Sequence, residues 1–137
     1  MPDSKLQEYT ELVKIYRKPE QFTLWLTRLA EPLSAEDSQQ VRTRANYLPG
    51  CQNSVWITGT ESAGKWHFDF DSDSRITLGV GKILKDVYNG KSAEQIAQIT
   101  YHDFKPIAQG MTIVKQRGLQ IMINRIHQIA THKEHTQ

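Results

Sequence analysis

Residues 46–58 read NYLPGCQNSVWIT, and this stretch joins a turn, a thiol and a strand pattern. Pro49 and Gly50 form a Pro-Gly turn signal directly before Cys51, the only cysteine of the chain. The residues that follow, 53–58, include Val, Trp, Ile and Thr in a row, which is typical of a strand. The sequence therefore predicts that Cys51 lies at the junction between a turn and a strand.

A second strand pattern follows a short way along the chain. Residues 59–64 contain two glycines and are predicted to connect the two strands as a hairpin. Beyond them, aromatic residues alternate with polar residues, as in a strand with one buried face. We therefore expect a small antiparallel sheet with Trp66, Phe68 and Phe70 on its buried face and His67, Asp69 and Asp71 on its exposed face.

Helical patterns precede this sheet. Apolar residues recur at helical spacing over residues 6–16 and again over residues 22–29. Pro19 is well placed in the first turn of the second helix, and Pro32 closes it. The polar stretch 34–45 is expected to form a loop or a short helical turn.

Helical patterns also follow the sheet. The polar side chains at 71–74, including Asp71 and Asp73, are predicted to cap a helix over residues 76–87, which Gly90 stops. Residues 92–99 begin with the Ser-x-x-Gln signature of a capping box and predict a short helix. The last helix follows apolar residues from 119 to 130. Helices flanking a small antiparallel sheet make an α+β fold.

The composition is that of an ordinary globular chain. Its 137 residues are 38% hydrophobic, so we expect one domain over 1–137, with residues 132–137 as a mobile polar tail. The formal net charge of +2 is too weak a bias to argue for nucleic-acid binding across the whole surface, and we expect none. The charged first twenty residues predict no signal peptide, and no apolar run is long enough to cross a membrane. We therefore expect a cytoplasmic protein.

The end of the chain is more basic than the rest. Residues 105–137 carry five Lys or Arg and one acidic residue, Glu134. Such a segment either docks an acidic partner or is a solvated helix face. The sequence leaves both interpretations open.

Two groups of polar residues resemble metal sites only superficially. The aspartates at 69, 71 and 73 begin like a calcium loop, but Ser74 and Val80 stand where Gly and Glu are required. The histidines at 127, 132 and 135 do not share one helical face. We therefore predict no metal site. Glycines 79 and 81 fall inside a helical pattern, which favours close helix packing over a phosphate loop.

A single cysteine cannot form an internal disulfide or supply the ligands of a cluster, so Cys51 is either structural or reactive. The preceding Pro-Gly turn can present its thiol at the tip of a loop. Because the thiolate is the nucleophilic form, a nearby cation or hydrogen-bond donors would have to support it. Lys115 and the basic C-terminal helix are the candidates.

At these residues the chain resembles the SufE/CsdE family of cysteine desulfuration proteins. The order and spacing of three groups of residues agree with the family over residues 46–130. The groups are Asn46, Gly50-Cys51-Gln52 and Val55-Trp56; Asp71-Ser72-Asp73 with Ile76 and Gly79; and Gly118-Leu119 with Met122-Ile123.

The resemblance implies an α+β fold related to that of iron–sulfur scaffold proteins. It implies that Cys51 accepts persulfide sulfur from a cysteine desulfurase of the SufS-like or CsdA-like type, stimulates that enzyme and passes the sulfur to an iron–sulfur scaffold complex. The pyridoxal phosphate (PLP) would belong to the desulfurase, and the chain itself, a monomer or weak homodimer, would need no cofactor and would not be an enzyme. The residues expected to support the loop or dock the partner are Gly50, Gln52, Trp56, Asp73 and Lys115.

The chain departs from the family at two places. Asn53 and the Val114-Lys115 pair stand where family members usually carry Ser and Ser-Arg, and a Lys keeps the charge of Arg without its bidentate fork. Three other functions stay open: a thiol enzyme with His67 or another His as its base, a cluster scaffold, and a binding module with an incidental cysteine. The cysteine count opposes the scaffold.

Overall fold

The computed structural model describes residues 3–131 of the chain, and its elements confirm the α+β layout of helices around a small antiparallel sheet. The helices before the sheet are α1 (Ser4–Val13), α2 (Pro19–Leu29) and α3 (Ala35–Val41). The sheet pairs β1 (Val55–Ser62) with β2 (Lys65–Ser72). After it come α4 (Arg75–Tyr88), α5 (Ala93–Gln98), a 3-10 turn (Tyr101–Phe104), α6 (Lys105–Ala108) and α7 (Ile113–Thr131).

The hairpin turn has only two residues. Ala63 and Gly64 both have positive φ, 54° and 78°, the backbone that a two-residue type I′ turn requires. Pairing begins directly beside this turn at Ser62 and Lys65 and continues to Val55 and Ser72. The tight turn thus fixes the register of the two strands. That register sets the position of Val55, where β1 begins and the Cys51 loop ends.

The predicted hairpin is confirmed, but the connection expected over residues 59–64 was too long, because β1 continues to Ser62. Gly59 pairs with Phe68 inside the strand. A Cβ on Gly59 would lie 2.8 Å from Cγ2 of Ile129 and 2.9 Å from Cε1 of Phe68. This glycine marks the close approach of α7 to the sheet, which the sequence pattern did not distinguish from a turn.

Helix α4 lies between α2 and the sheet. A Cβ on Gly79 would lie 1.9 Å from the carbonyl oxygen of Leu26 in α2, and a Cβ on Gly81 would lie 3.1 Å from Phe70 in β2. The prediction that these glycines serve close packing is confirmed. The buried side chains form one cluster that runs from Leu6 in α1 to Ala130 in α7.

The cap of α4 comes from the predicted segment 71–74, but not from its aspartates. Ser74 is the N-cap, and its hydroxyl accepts a hydrogen bond from the Thr77 amide at 3.3 Å. Asp71 and Asp73 do not cap the helix, because both carboxylates bind Arg42 instead. Asp71 is also buried, at 4% exposure, so its assignment to an exposed strand face was wrong.

Helix α7 begins earlier than its apolar pattern indicated. The predicted residues from Leu119 to Ala130 are buried, but the helix starts at Ile113, where the hydroxyl of Thr112 accepts a hydrogen bond from the Lys115 amide at 3.3 Å. Lys115 therefore lies in the first turn of α7. The predicted capping box of α5 is confirmed. The predicted tail 132–137, which contains two of the histidines, lies outside the described residues.

Replacing Gly79 with Ala is expected to lower the free energy of unfolding by roughly 2 kcal/mol, because the added Cβ overlaps the backbone of α2. Urea unfolding measures this change. Gly118→Ala is the matched control, since Gly118 is also helical and its Cβ would meet nothing within 4 Å. That variant should gain about 0.5–1 kcal/mol. A Gly79→Ala protein as stable as Gly118→Ala would contradict the packing.

Candidate functional site

The loop that carries Cys51 is held at its base by backbone pairing. The Leu48 amide donates to the carbonyl of Val55, and the Ile57 amide donates to the carbonyl of Asn46, both at 2.9 Å. These bonds align the chain before the loop with β1. Residues 49–54 therefore form a short tip on a fixed base, and the prediction that Cys51 lies between a turn and a strand is confirmed.

Arg42 joins the base of this loop to the end of β2. Its Nε lies 2.7 Å from Oδ2 of Asp71, and its Nη1 lies 2.9 Å from Oδ1 of Asp73. Its guanidinium carbon also lies 4.4 Å from the ring centroid of Trp56 in β1, within the range of a cation–π contact. One side chain from the C-terminal end of α3 thus contacts both strands.

The carboxylate of Asp71 accepts further hydrogen bonds from the hydroxyl of Ser38 and, at 2.9 Å, from the Ser72 amide. Burial acts to raise the pKa of Asp71, but the hydrogen bonds from Arg42, Ser38 and Ser72 outweigh it and hold the pKa below its ordinary value. Sequence reasoning missed Arg42. Its only signal was the four-residue spacing from Ser38, which places both side chains on one face of a helix without showing their common partner.

Gly50 sets the direction in which the chain enters Cys51. Its φ of +96° is one that residues with a side chain rarely adopt. A Cβ at this position would also lie 3.2 Å from Cδ1 of Ile121 in α7. The predicted supporting role of Gly50 has a physical basis in both its conformation and this contact.

The thiol of Cys51 is half-buried beside a small cavity of about 40 Å³. The apolar lining residues come from β1, α4 and α7, and Gln52, Asn53, Thr77 and Lys115 supply the polar ones. Burial raises the pKa of the Cys51 thiol. The thiol is therefore less exposed than we expected for a residue at the tip of a loop. Its environment favours the neutral thiol over the thiolate. The apolar lining consists of Val55, Ile76, Val80, Val114, Leu119 and Met122.

The predicted site residues fall into two groups. Gln52 and Lys115 line the cavity with Cys51. Trp56 and Asp73 instead belong to the cluster around Arg42 at the base of the loop. The structure therefore separates a group beside the sulfur from a group that positions the loop.

The candidate histidine bases lie elsewhere in the described residues. His67 is an exposed residue of β2, and His127 makes a hydrogen bond of 2.8 Å between its Nε2 and the carbonyl oxygen of Ile99. The residues that line the cavity within the described part of the chain include no His, Asp or Glu. Over residues 3–131, no three metal-ligating side chains form a cluster, and no helix has the length and apolar character needed to cross a bilayer.

Comparison with known proteins identifies the family. The family described as SufE, the Fe-S metabolism associated domain, matches residues 7–130. The chain belongs to the SufE family. An uncharacterised SufE-like protein of Rhizobium etli is 32% identical to it over 103 residues, and the match covers 69% of each chain. Membership in this family indicates a role in iron–sulfur metabolism.

The fold of this SufE-family chain also matches a solved structure. The solution structure of a hypothetical protein from Thermus thermophilus superimposes with a TM-score of 0.72. The match covers 100% of both chains at 19% sequence identity. At that identity the likeness concerns the fold.

Cys51 in the folded chain is expected to titrate at a higher pH than in the urea-unfolded chain, because burial disfavours its thiolate. The rate of alkylation by iodoacetamide, followed by mass spectrometry across a pH series, reports the thiolate fraction. Near the unperturbed thiol pKa of about 8.5, the folded chain should react more slowly. Equal titration midpoints for the folded and unfolded chains would contradict this environment.

Proposed function

We propose that Cys51 accepts sulfur as a persulfide from a PLP-dependent cysteine desulfurase, stimulates that enzyme and passes the sulfur to an iron–sulfur scaffold complex. Family membership supports a role in iron–sulfur metabolism. The observation that supports sulfur transfer through Cys51 is its half-buried thiol beside a mostly apolar cavity. The protein acts as a sulfur carrier in the cytoplasm rather than as an enzyme.

The transfer step is a thiol exchange and needs no oxidant. The Cys51 thiolate attacks the terminal sulfur of a persulfide on the donor, so that a bond forms between Sγ of Cys51 and that sulfur. The S–S bond of the donor breaks, and the donor cysteine leaves as a thiolate that takes up a proton. One thiol is consumed and one is regenerated, so the exchange is redox-neutral.

The cavity suits the product of this step. A volume of about 40 Å³ exceeds the roughly 10–15 Å³ needed to admit one water, so it has room for about one added sulfur atom next to Sγ. The apolar side chains around it, including Val80 and Met122, offer few polar partners to water. Persulfide sulfur held there is protected from soluble thiols until a recipient docks.

The loop that carries the thiol is the part of the site that would move. Because the half-buried thiol packs against the core, an outward turn of the tip over residues 49–54 would bring Sγ closer to a donor persulfide. Gly50 supplies backbone freedom at one end of this tip. The backbone bonds of Leu48 and Ile57 hold the base in place while the tip moves. The PLP stays with the donor, and the carrier needs no cofactor.

The direct test is incubation of the purified protein with its desulfurase and free cysteine. Intact mass spectrometry should show the addition of one sulfur atom, and a thiol reductant should remove it. Cys51→Ser should gain no sulfur while still binding the desulfurase.

An unchanged mass with an active, matched desulfurase would overturn the proposal. Ester or peptide turnover that depends on Cys51 would point to a thiol enzyme instead. Full cellular function of Cys51→Ser would point to a binding module.

Lys115 is proposed to dock the desulfurase rather than to activate the thiol. A flexible, hydrated ammonium at a partly exposed position affects a neighbouring thiol weakly unless it is held close. Lys115→Ala should therefore leave the alkylation rate of Cys51 unchanged and weaken desulfurase binding by roughly fivefold or less at low salt. Added salt should reduce this difference.

Lys65→Ala is the matched control, because Lys65 is exposed beside the hairpin turn at the opposite end of the sheet from the Cys51 loop. Lys115→Arg should retain or improve binding. A slower alkylation rate in Lys115→Ala, with unchanged binding, would assign Lys115 to thiolate stabilisation.

A further inference from the structure

We propose that Ile113 and Val114 form an apolar anchor by which the cysteine desulfurase docks at the mouth of the Cys51 cavity. The inference rests on the proposed function and names the surface that the donor covers. Ile113 is 77% exposed and Val114 is 53% exposed, although both are large apolar residues. Single exposed apolar residues are common on proteins, but these two are adjacent, and Val114 lines the cavity beside the reactive sulfur.

The position of Val114 requires that a sulfur donor cover it. Val114 lines the same cavity as Cys51. Sulfur exchange brings the donor persulfide into bonding contact with Sγ, and a specific interface buries about 800 Å² on each partner. A footprint of that size centred on the cavity mouth includes the first turn of α7. A few residues near the centre of such a footprint, where water is excluded, contribute most of the binding energy.

The surface next to this anchor is cationic. Val114, Arg117, Ile121 and Arg125 follow one another at spacings of three and four residues, so they share one face of α7. This face flanks the Cys51 loop, since Ile121 approaches Gly50 and Arg125 lines a groove with Pro49. This face of α7 therefore continues the docking surface from the anchor along the Cys51 loop.

The charge of α7 selects the kind of partner. Residues 113–131 include three cationic residues, Lys115, Arg117 and Arg125, and no Asp or Glu. A second copy of this chain, docked through the same face, would place cations against cations. The surface instead fits a desulfurase that presents an apolar socket with acidic groups around it. The basic segment noted in the sequence is thus interpreted as a docking face.

The test is a double variant, Ile113→Ser with Val114→Ser, titrated with the desulfurase of the same organism. Loss of two central apolar contacts should raise the dissociation constant roughly tenfold or more. Ile15→Ser with Leu24→Ser is the matched control, because these exposed apolar residues belong to the N-terminal helical segment, and that variant should bind like the wild type.

A charge variant tests the rest of the surface. Arg117→Gln should weaken binding and reduce its dependence on salt concentration. Wild-type affinity in the double variant, together with normal sulfur uptake by the wild type, would overturn the anchor and leave the sulfur-carrier function standing. Loss of self-association without a change in desulfurase affinity would assign the face to a second copy and also overturn it. Binding without sulfur uptake by the wild type would instead refute the carrier function.

Discussion

The buried carboxylate of Asp71 is the constraint on which the Cys51 site depends. An ionised carboxylate in a protein interior requires a cation and several hydrogen bonds, and Arg42, Ser38 and the Ser72 amide supply them. Arg42 also stacks on Trp56 of β1. The side chain that neutralises Asp71 in β2 therefore connects α3 to both strands. The charge pair of Arg42 and Asp71 thus helps to hold the base of the Cys51 loop in place.

The proposed function places two opposing demands on the thiol of Cys51. Attack on a donor requires the thiolate, whereas a protected persulfide requires an enclosed, apolar environment, and burial raises the pKa of Cys51. One static position of Cys51 cannot satisfy both demands. In the proposed function, Gly50, whose positive φ lies directly before the cysteine, is where a small backbone rotation would move the sulfur between the cavity and a partner.

The sequence was sufficient wherever a local pattern determined the structure. The capping box at Ser92, the buried face of α7 and the α+β arrangement all follow from spacing alone. It failed where the cause was a contact between distant segments. Gly59 resembled a turn residue until Ile129 of α7 was known to pack against it, and Asp71 resembled a helix cap until Arg42 was found 29 positions earlier in the chain.

Helix α7 connects the stability of the fold to the recognition of a partner. One of its faces is fixed by buried residues such as Leu119, Met122 and Ile126, so the helix cannot rotate without exposing the core. Its first turn and the Arg117 to Arg125 face are therefore held in a constant relation to the Cys51 cavity. In the proposed docking mode, a partner that binds this helix would be aligned with the sulfur before the loop moves. Docking on the exposed face leaves most of the cavity wall undisturbed, because Leu119 and Met122 line that wall from the buried side of the same rigid element.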